Sequence, residues 1–174
     1  MITPNPKSAA PAIEPRGKAI GTIHQDTLPI FMPEAVLEQV LEYSERDPLH
    51  ELGGFLIGGL HLEGREFVEV RHFAPAKDAR SRAASLTFTH ETWSNLRRDL
   101  EQRFPNEVVV GWQHTHPNLG VFLSAYDVFL HRHFFGESWQ IAMVVDPQRQ
   151  EFGFFQWRHG EIVDCGVYVG ESRK

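Results

Sequence analysis

Gly111-Trp112-Gln113-His114-Thr115-His116-Pro117, followed by Ser124-Ala125-Tyr126-Asp127, is the stretch on which the reading of this chain turns. Val108, Val109, Val110 and Trp112 make Glu107–His114 the strongest strand signal in the sequence. Residues two apart on a strand share a face, about 6.6 Å from each other. His114 and His116 can therefore converge on one metal ion. Pro117 ends the strand, and the following loop is long enough to bring the next helix back against the strand end. Ser124 opens that helix, which places Asp127 on its first turn. Two imidazoles and one carboxylate make three protein ligands and leave a fourth tetrahedral position for water, the mark of a catalytic zinc site. Zinc in such a position lowers the pKa of water to roughly 7 and polarises a carbonyl. Each part also has a plainer reading. A His-x-His pair can be two ordinary strand histidines, and Ser-x-x-Asp is close to a helix N-cap pattern with the acid favoured by the helix dipole. Their joint spacing around a strand, a loop and a helix is what favours a metal site.

Working outward, Pro33 suits the first residue of a helix running to about Arg46, with Val36, Leu37, Val40, Leu41 and Tyr43 on one apolar face. Gly54–His61 reads as a buried strand, and Glu66–Phe73 as its antiparallel neighbour across the Glu63-Gly64 turn. A polar loop over Pro75–Ser85 and a short strand over Leu86–Thr89 follow. Thr89 or His90 then opens a helix ending before Pro105. After the Ser124 helix, Gln140–Asp146, Glu151–Arg158 and Glu161–Val169 read as three closing strands. This order predicts an α/β fold, a mixed sheet flanked by helices.

The 174 residues suit one domain, and 41% hydrophobic with 23% charged residues is ordinary for a soluble globular protein. The net charge of −6 is interspersed, and the basic residues Lys77, Arg80, Arg82, Arg97, Arg98 and Arg103 form no aromatic-laced basic run. We therefore expect no nucleic-acid partner. The single cysteine, Cys165, excludes an intrachain disulfide or a thiolate-rich zinc site. Met1–Gly21 lacks an apolar signal core, and no window approaches the ~20 apolar residues of a membrane span. The expectation is a cytoplasmic protein with no membrane partner. Pro4, Pro6, Pro11 and Pro15 mark residues 1–24 as a flexible N-terminal arm, although Ala19–His24 could pair as an edge strand; residues 25–174 form the domain.

The pattern His114-x-His116-Pro117, six residues, then Ser124-x-x-Asp127 resembles the signature of the JAMM (JAB1/MPN/Mov34) metallopeptidases. Val109-Val110-Gly111-Trp112 before the histidines and Phe122-Leu123 before the serine strengthen the match. So do Glu51 with the glycine-rich Leu52–Gly58 stretch, and Ala142-Met143-Val144-Val145-Asp146-Pro147 downstream. The resemblance covers roughly residues 30 to 169. It implies a curved mixed sheet of cytidine-deaminase-like architecture and one Zn2+ on His114, His116 and Asp127. It also implies Glu51 as the base that takes a proton from water and returns it to the leaving amine, and Ser124 as the donor to the oxyanion. Read alone, Glu51 is a surface acid at a helix end.

The resemblance further implies a zinc metallopeptidase, a deubiquitinase-like isopeptidase cutting after the C-terminus of a ubiquitin or ubiquitin-like protein. The chain looks like a compact, stand-alone prokaryotic-type member, with the ubiquitin-like protein or its conjugates as partners and E1/E2-like enzymes as candidate further ones. An extended Gly-Gly tail would run in a groove bordered by the Pro75–Ser85 and Asn118–Phe122 loops, with Val121 and Phe122 on its wall. One cysteine and a short Phe135–Trp139 stretch argue against the linkage-selective insertion that some members carry. A non-catalytic scaffold is the alternative from another class, and hydrolysis of a small amide or a sulfur-carrier-protein conjugate is the alternative within enzymes. The oligomeric state is not readable from the sequence.

Overall fold

The computed structural model describes residues 17–62, 64, 66–81 and 86–171. In chain order the strands are β1 (Lys18–Ile20), β2 (Ile30–Pro33), β3 (Gly53–His61), β4 (Phe67–Pro75), β5 (Arg80–Ser81), β6 (Leu86–Thr87), β7 (Val108–Thr115), β8 (Ile141–Asp146), β9 (Glu151–Arg158), β10 (Glu161–Cys165) and β11 (Val167–Gly170). The helices are α1 (Glu34–Ser44), α2 (His90–Gln102) and α3 (Ala125–Phe134).

Among these residues, nine strands form one mixed sheet in the order β1-β11-β2-β4-β3-β7-β8-β9-β10, and β5 and β6 form a separate short hairpin. β3 and β7 sit at its centre as an antiparallel pair, with Gly53 opposite His114, and β8 runs parallel to β7. Both central strands are buried almost throughout, which is why they read as apolar runs rather than alternations. Residues on β3 nevertheless divide by parity. Leu56 joins a core with Val36, Leu37 and Val40 of α1, whereas Phe55 and Ile57 join a second with Leu96 and Leu100 of α2 and Leu130 of α3. The sheet is thus covered by α1 on one face and by α2 and α3 on the other. Burying each of these aliphatic side chains stabilises the fold by about 1.5–3 kcal/mol at most.

Register shifts interrupt β3 at Ile57/Gly58 against β4 and one step earlier against β7. Such bulges bend a strand and sharpen its twist. Gly58 is needed at the bend, because a Cβ there would run into the Glu69 carbonyl oxygen.

β10 and β11 lie at or near opposite ends of the strand order, yet only Gly166 separates them in sequence. The sheet therefore curls until its edges meet. Gly166 N–H donates to the Thr22 carbonyl at 2.6 Å, and His24 Nε2 bonds the Asp164 carbonyl at 2.8 Å across the same seam.

Several expectations need correction. The expected Glu161–Val169 strand is two strands that pair with different partners, β10 with β9 and β11 with β1 and β2. Pro33 ends β2 at the N-cap position of α1, without a side-chain cap, and Glu34 opens the helix. β2, four buried residues ending in proline, gives no periodic signal of its own. The boundary drawn after residue 24 falls inside the sheet, since Lys18–Ile20 pairs with Val167–Val169. Residues 1–16 of the expected arm lie outside the described residues, as do Glu63 and residues 82–85. No helix among the described residues is long and apolar enough to cross a membrane.

Candidate metal centre

β7 ends in a run where every side chain is buried, including the polar Gln113, His114 and Thr115, and His116 just beyond is 2% exposed. His114 and His116 project from the strand end toward one point, with Nε2 atoms 3.0 Å apart. The first turn of α3 completes the cluster. Asp127 Oδ2 lies 3.0 Å from His116 Nε2 and 3.1 Å from His114 Nε2. His114, His116 and Asp127 are all buried, and each offers one ligand atom to a common centre that could hold a metal ion.

Local chemistry places Asp127. Ser124 Oγ accepts from the Asp127 backbone N–H at 3.1 Å, and the Ser124 N–H donates to Asp127 Oδ2 at 2.9 Å. This reciprocal capping box starts α3. The helix-cap and metal readings of Ser-x-x-Asp therefore describe the same geometry: the oxygen that caps the helix also faces both imidazoles.

Glu51 is buried, at 5% exposure, so the surface-acid reading is wrong. Its Oε1 lies 3.7 Å from His116 Nε2. Thr115 makes this approach possible. Its Oγ1 accepts from Leu52 N–H at 2.8 Å, and its own N–H donates to the Leu52 carbonyl at 2.8 Å. The residue between the two histidines thus ties the Glu51 segment to β7, a role that sequence reading missed.

The charges follow from burial and proximity. Burial pushes the Glu51 carboxyl up to about 7, with His116 opposing and Asp127 adding to the rise. Burial lowers His114 below the usual imidazole value and overrides the opposing pull of Asp127. At His116 burial also acts downward, but Asp127, Glu51 and the Gly120 carbonyl outweigh it, and the value rises. Burial would raise Asp127, yet the two histidines hold it well below the usual carboxylate range.

His116 Nδ1 faces the Gly120 carbonyl at 3.3 Å, which turns Nε2 toward the cluster. His114 is held differently. Its Nδ1 has no hydrogen-bond partner among the described residues, but its ring stacks on Trp112 at 4.5 Å and 10°. Trp112 in turn donates its indole N–H to His131 Nδ1 at 3.0 Å. His131 lies four residues after Asp127, a spacing that the sequence reads more simply as that of an ordinary helix residue, and only the bond from Trp112 ties it to this centre. His50 is exposed and pairs with Asp47.

Of the two groove residues, Phe122 is 44% exposed and its ring sits 4.7 Å from that of His116. Val121 lies against Gly153. A separate cavity of about 540 Å³ opens between α2 and α3, lined by Trp93, Leu100, Arg132 and Phe135 among others, and shares no residue with the cluster.

A family model described as JAB1/Mov34/MPN/PAD-1 ubiquitin protease matches residues 26–136. The chain belongs to this family. The JAB1/Mov34/MPN/PAD-1 match spans β2 to the end of α3 and includes Glu51, both histidines, Ser124 and Asp127. Ubiquitin carboxyl-terminal hydrolase RPN11 of Saccharomyces cerevisiae is 34% identical over 71 residues, 40% of this chain and 23% of that protein. The 26S proteasome non-ATPase regulatory subunit 14 of Dictyostelium discoideum is 43% identical over 49 residues, 28% of this chain and 16% of that protein. NAD(+) hydrolase TcpA of a Theionarchaea archaeon is 32% identical over 71 residues, 40% of this chain and 21% of that protein. The matches thus span about a fifth of the length of these relatives. The solution structure of protein DSY2949 from Desulfitobacterium hafniense superposes with a TM-score of 0.62 at 18% identity, covering 82% of this chain and 94% of that one. This likeness concerns the fold: a curled mixed sheet with helices on its faces.

Proposed function

We propose that this chain is a zinc-dependent isopeptidase that hydrolyses the bond following the C-terminus of a ubiquitin-like protein. The observation that carries the reading is the convergence of His114 Nε2, His116 Nε2 and Asp127 Oδ2 within 3.0–3.1 Å of one another, with Glu51 Oε1 at 3.7 Å from His116. The donor set fits zinc. Bonds of ~2.0–2.2 Å in a tetrahedron put neighbouring ligand atoms about 3.3–3.6 Å apart, so the three atoms at 3.0–3.1 Å would open by only a few tenths of an ångström around an ion. Burial favours the neutral form of His114 and the histidines favour the ionised form of Asp127, which are the ligating forms. His116, raised by Asp127 and Glu51, would give up its proton on binding a metal.

Zinc held there would supply Lewis acidity, polarising a substrate carbonyl and acidifying water near neutral pH. The chain's own residues do the rest. Glu51, with its carboxyl near 7, can accept a proton from the attacking water at one oxygen and return it to the leaving amine. Ser124 Oγ already accepts from the Asp127 N–H, so its own O–H remains to donate to the developing oxyanion. Burial of every member of the cluster limits water and strengthens these interactions. The half-exposed Phe122 beside His116 suits a wall for an extended substrate tail, and glycine residues in that tail would let its backbone approach closely.

The substrate class is supported by the family description and by the relative named a ubiquitin carboxyl-terminal hydrolase. The relative named an NAD(+) hydrolase is also matched over 71 residues and a similar share, 21% against 23%, so the family description and the site residues, not the coverage, favour the isopeptidase reading. Presence of all three ligand atoms together with Glu51 and Ser124 disfavours the scaffold alternative. The test is metal analysis by mass spectrometry on untagged protein, paired with hydrolysis of a ubiquitin-like protein carrying a C-terminal fluorogenic amide. About one zinc per chain with cleavage blocked by chelation is the expected result. Zinc bound without cleavage of any ubiquitin-like amide, but with turnover of a small free amide, would move the substrate to the small-amide alternative. Absence of metal after zinc loading would favour the scaffold.

A further inference from the structure

Asp146 closes β8 and is fully buried, and its carboxylate collects four backbone N–H groups. Two are local, from Gln148 and Arg149 to Oδ1 at 3.0 and 3.1 Å. The other two come from a separate part of the chain: Asn118 N–H to Oδ1 at 3.0 Å and Gly120 N–H to Oδ2 at 2.8 Å. A turn at Asp146-Pro147 needs the local pair alone. The distant pair grips the tight loop after His116, where Asn118 and Gly120 both take positive φ, 58° and 87°. Arg149 grips the same loop from outside, with Nη2 on the Asn118 carbonyl at 3.2 Å and Nε on Asn118 Oδ1 at 3.3 Å. The same gripped residue, Gly120, carries the carbonyl that faces His116 Nδ1.

We infer that Asp146, assisted by Arg149, is a positioning residue for His116: it fixes the 118–120 loop so that the Gly120 carbonyl holds Nδ1 and Nε2 is presented to the metal. This role rests on the zinc reading above. Partners that orient a ligating imidazole through its second nitrogen commonly set metal affinity by 10–100-fold. Here the orienting carbonyl is itself held by a buried carboxylate one step further out. An asparagine at 146 keeps the size but has one acceptor oxygen, so it cannot receive both the Asn118 and Gly120 sides.

The experiment measures Zn2+ affinity by competition with a chromogenic chelator for wild type, Asp146→Asn and Arg149→Ala, beside thermal unfolding and amide exchange of the metal-free proteins. Asp146→Asn should remain folded, exchange the Gly120 amide faster, and bind Zn2+ about 10–100-fold more weakly. Arg149→Ala, at an exposed position, should show a smaller loss of affinity in the same direction. A folded Asp146→Asn with wild-type affinity would overturn the role. If Asp146→Asn does not fold, Arg149→Ala decides: unchanged affinity and unchanged Gly120 exchange overturn it. A wild-type protein that takes up no Zn2+ would instead remove the zinc reading itself, a different failure from equal affinity in all three proteins.

Discussion

At one end of β3 and β7 lie Glu51, His114, His116 and Asp127; at the other lie His61, Glu69, Arg71 and Glu107. Both groups are buried or nearly so, and both mix histidine with carboxylate. At the far end, Glu69 Oε2 bonds His61 at 2.7 Å and Arg71 at 3.0 Å, and Arg71 reaches Glu107 at 2.9 Å. A fixed guanidinium lies between the two acids and pairs with both. Burial would raise Glu69, yet His61 and Arg71 hold it down at about 2. At the near end no arginine or lysine among the described residues pairs with the three ligand atoms, and their lone pairs converge. The same residue types therefore make an ion-pair network where the cation is a side chain, and a metal-type centre where the cation's place is shared by several donors. Residue type and burial alone do not distinguish the two; the direction in which the donor atoms point does.

This contrast can be broken by substitution. Asp127→Ala should have the largest effect, with zinc lost and turnover below about 10⁻⁴ of wild type, because the metal and the proton shuttle then fail together. Metal retained at wild-type stoichiometry in that variant would mean that the convergence has been misread. Glu51→Gln should keep zinc while kcat drops by ~10²–10⁴; full turnover would remove the proton-transfer assignment. At the far end the expected effect is on stability alone. Glu69→Gln should cost on the order of 2–3 kcal/mol at pH 7, with zinc content and kcat per folded molecule unchanged. The sign follows from the depressed carboxyl. Its contribution is present above the ordinary value near 4.5 and is lost as pH falls through about 2, so urea titrations of wild type and variant should converge across that window. Phe122→Arg should have the smallest effect, about a tenfold loss in kcat/KM on a ubiquitin-like amide with zinc content intact. Untouched kinetics would put the substrate tail elsewhere.

His114, His116 and Asp127 at the near end were legible in the sequence because their signals are local, whereas Glu51 was placed there only by the family resemblance. The apolar strand with alternate histidines, the proline stop and the Ser124 cap lie within a short span, and spacing alone assigns them to one face and one turn. The α2 cap was legible for the same reason, with Thr89 and Thr92 forming a second reciprocal box. What escaped depends on distant pairing. Thr115 meets Leu52 across 63 positions and Asp146 meets Gly120 across 26, and nothing in either neighbourhood announces the partner. β2 is too short to show a period, and the break at Gly166 is visible only once β11 is known to cross to the other edge of the sheet. The far-end cluster was equally unannounced, since His61, Glu69, Arg71 and Glu107 come from two strands, β3 and β4, and the lead-in to a third, β7.

The reciprocal cap at Ser124 and Asp127 has a consequence for how the centre assembles during folding. Contacts between residues three apart close within about a microsecond in isolated helices and turns, long before distant strands find one another. The Asp127 carboxylate can take its final orientation in that early turn, whereas the two imidazoles must wait for β7 to insert between β3 and β8, the slow and non-local part of the topology. Metal capture during refolding would then time the docking of α3 onto the finished sheet, and a stopped-flow metal signal should follow the slowest folding phase rather than the appearance of helix.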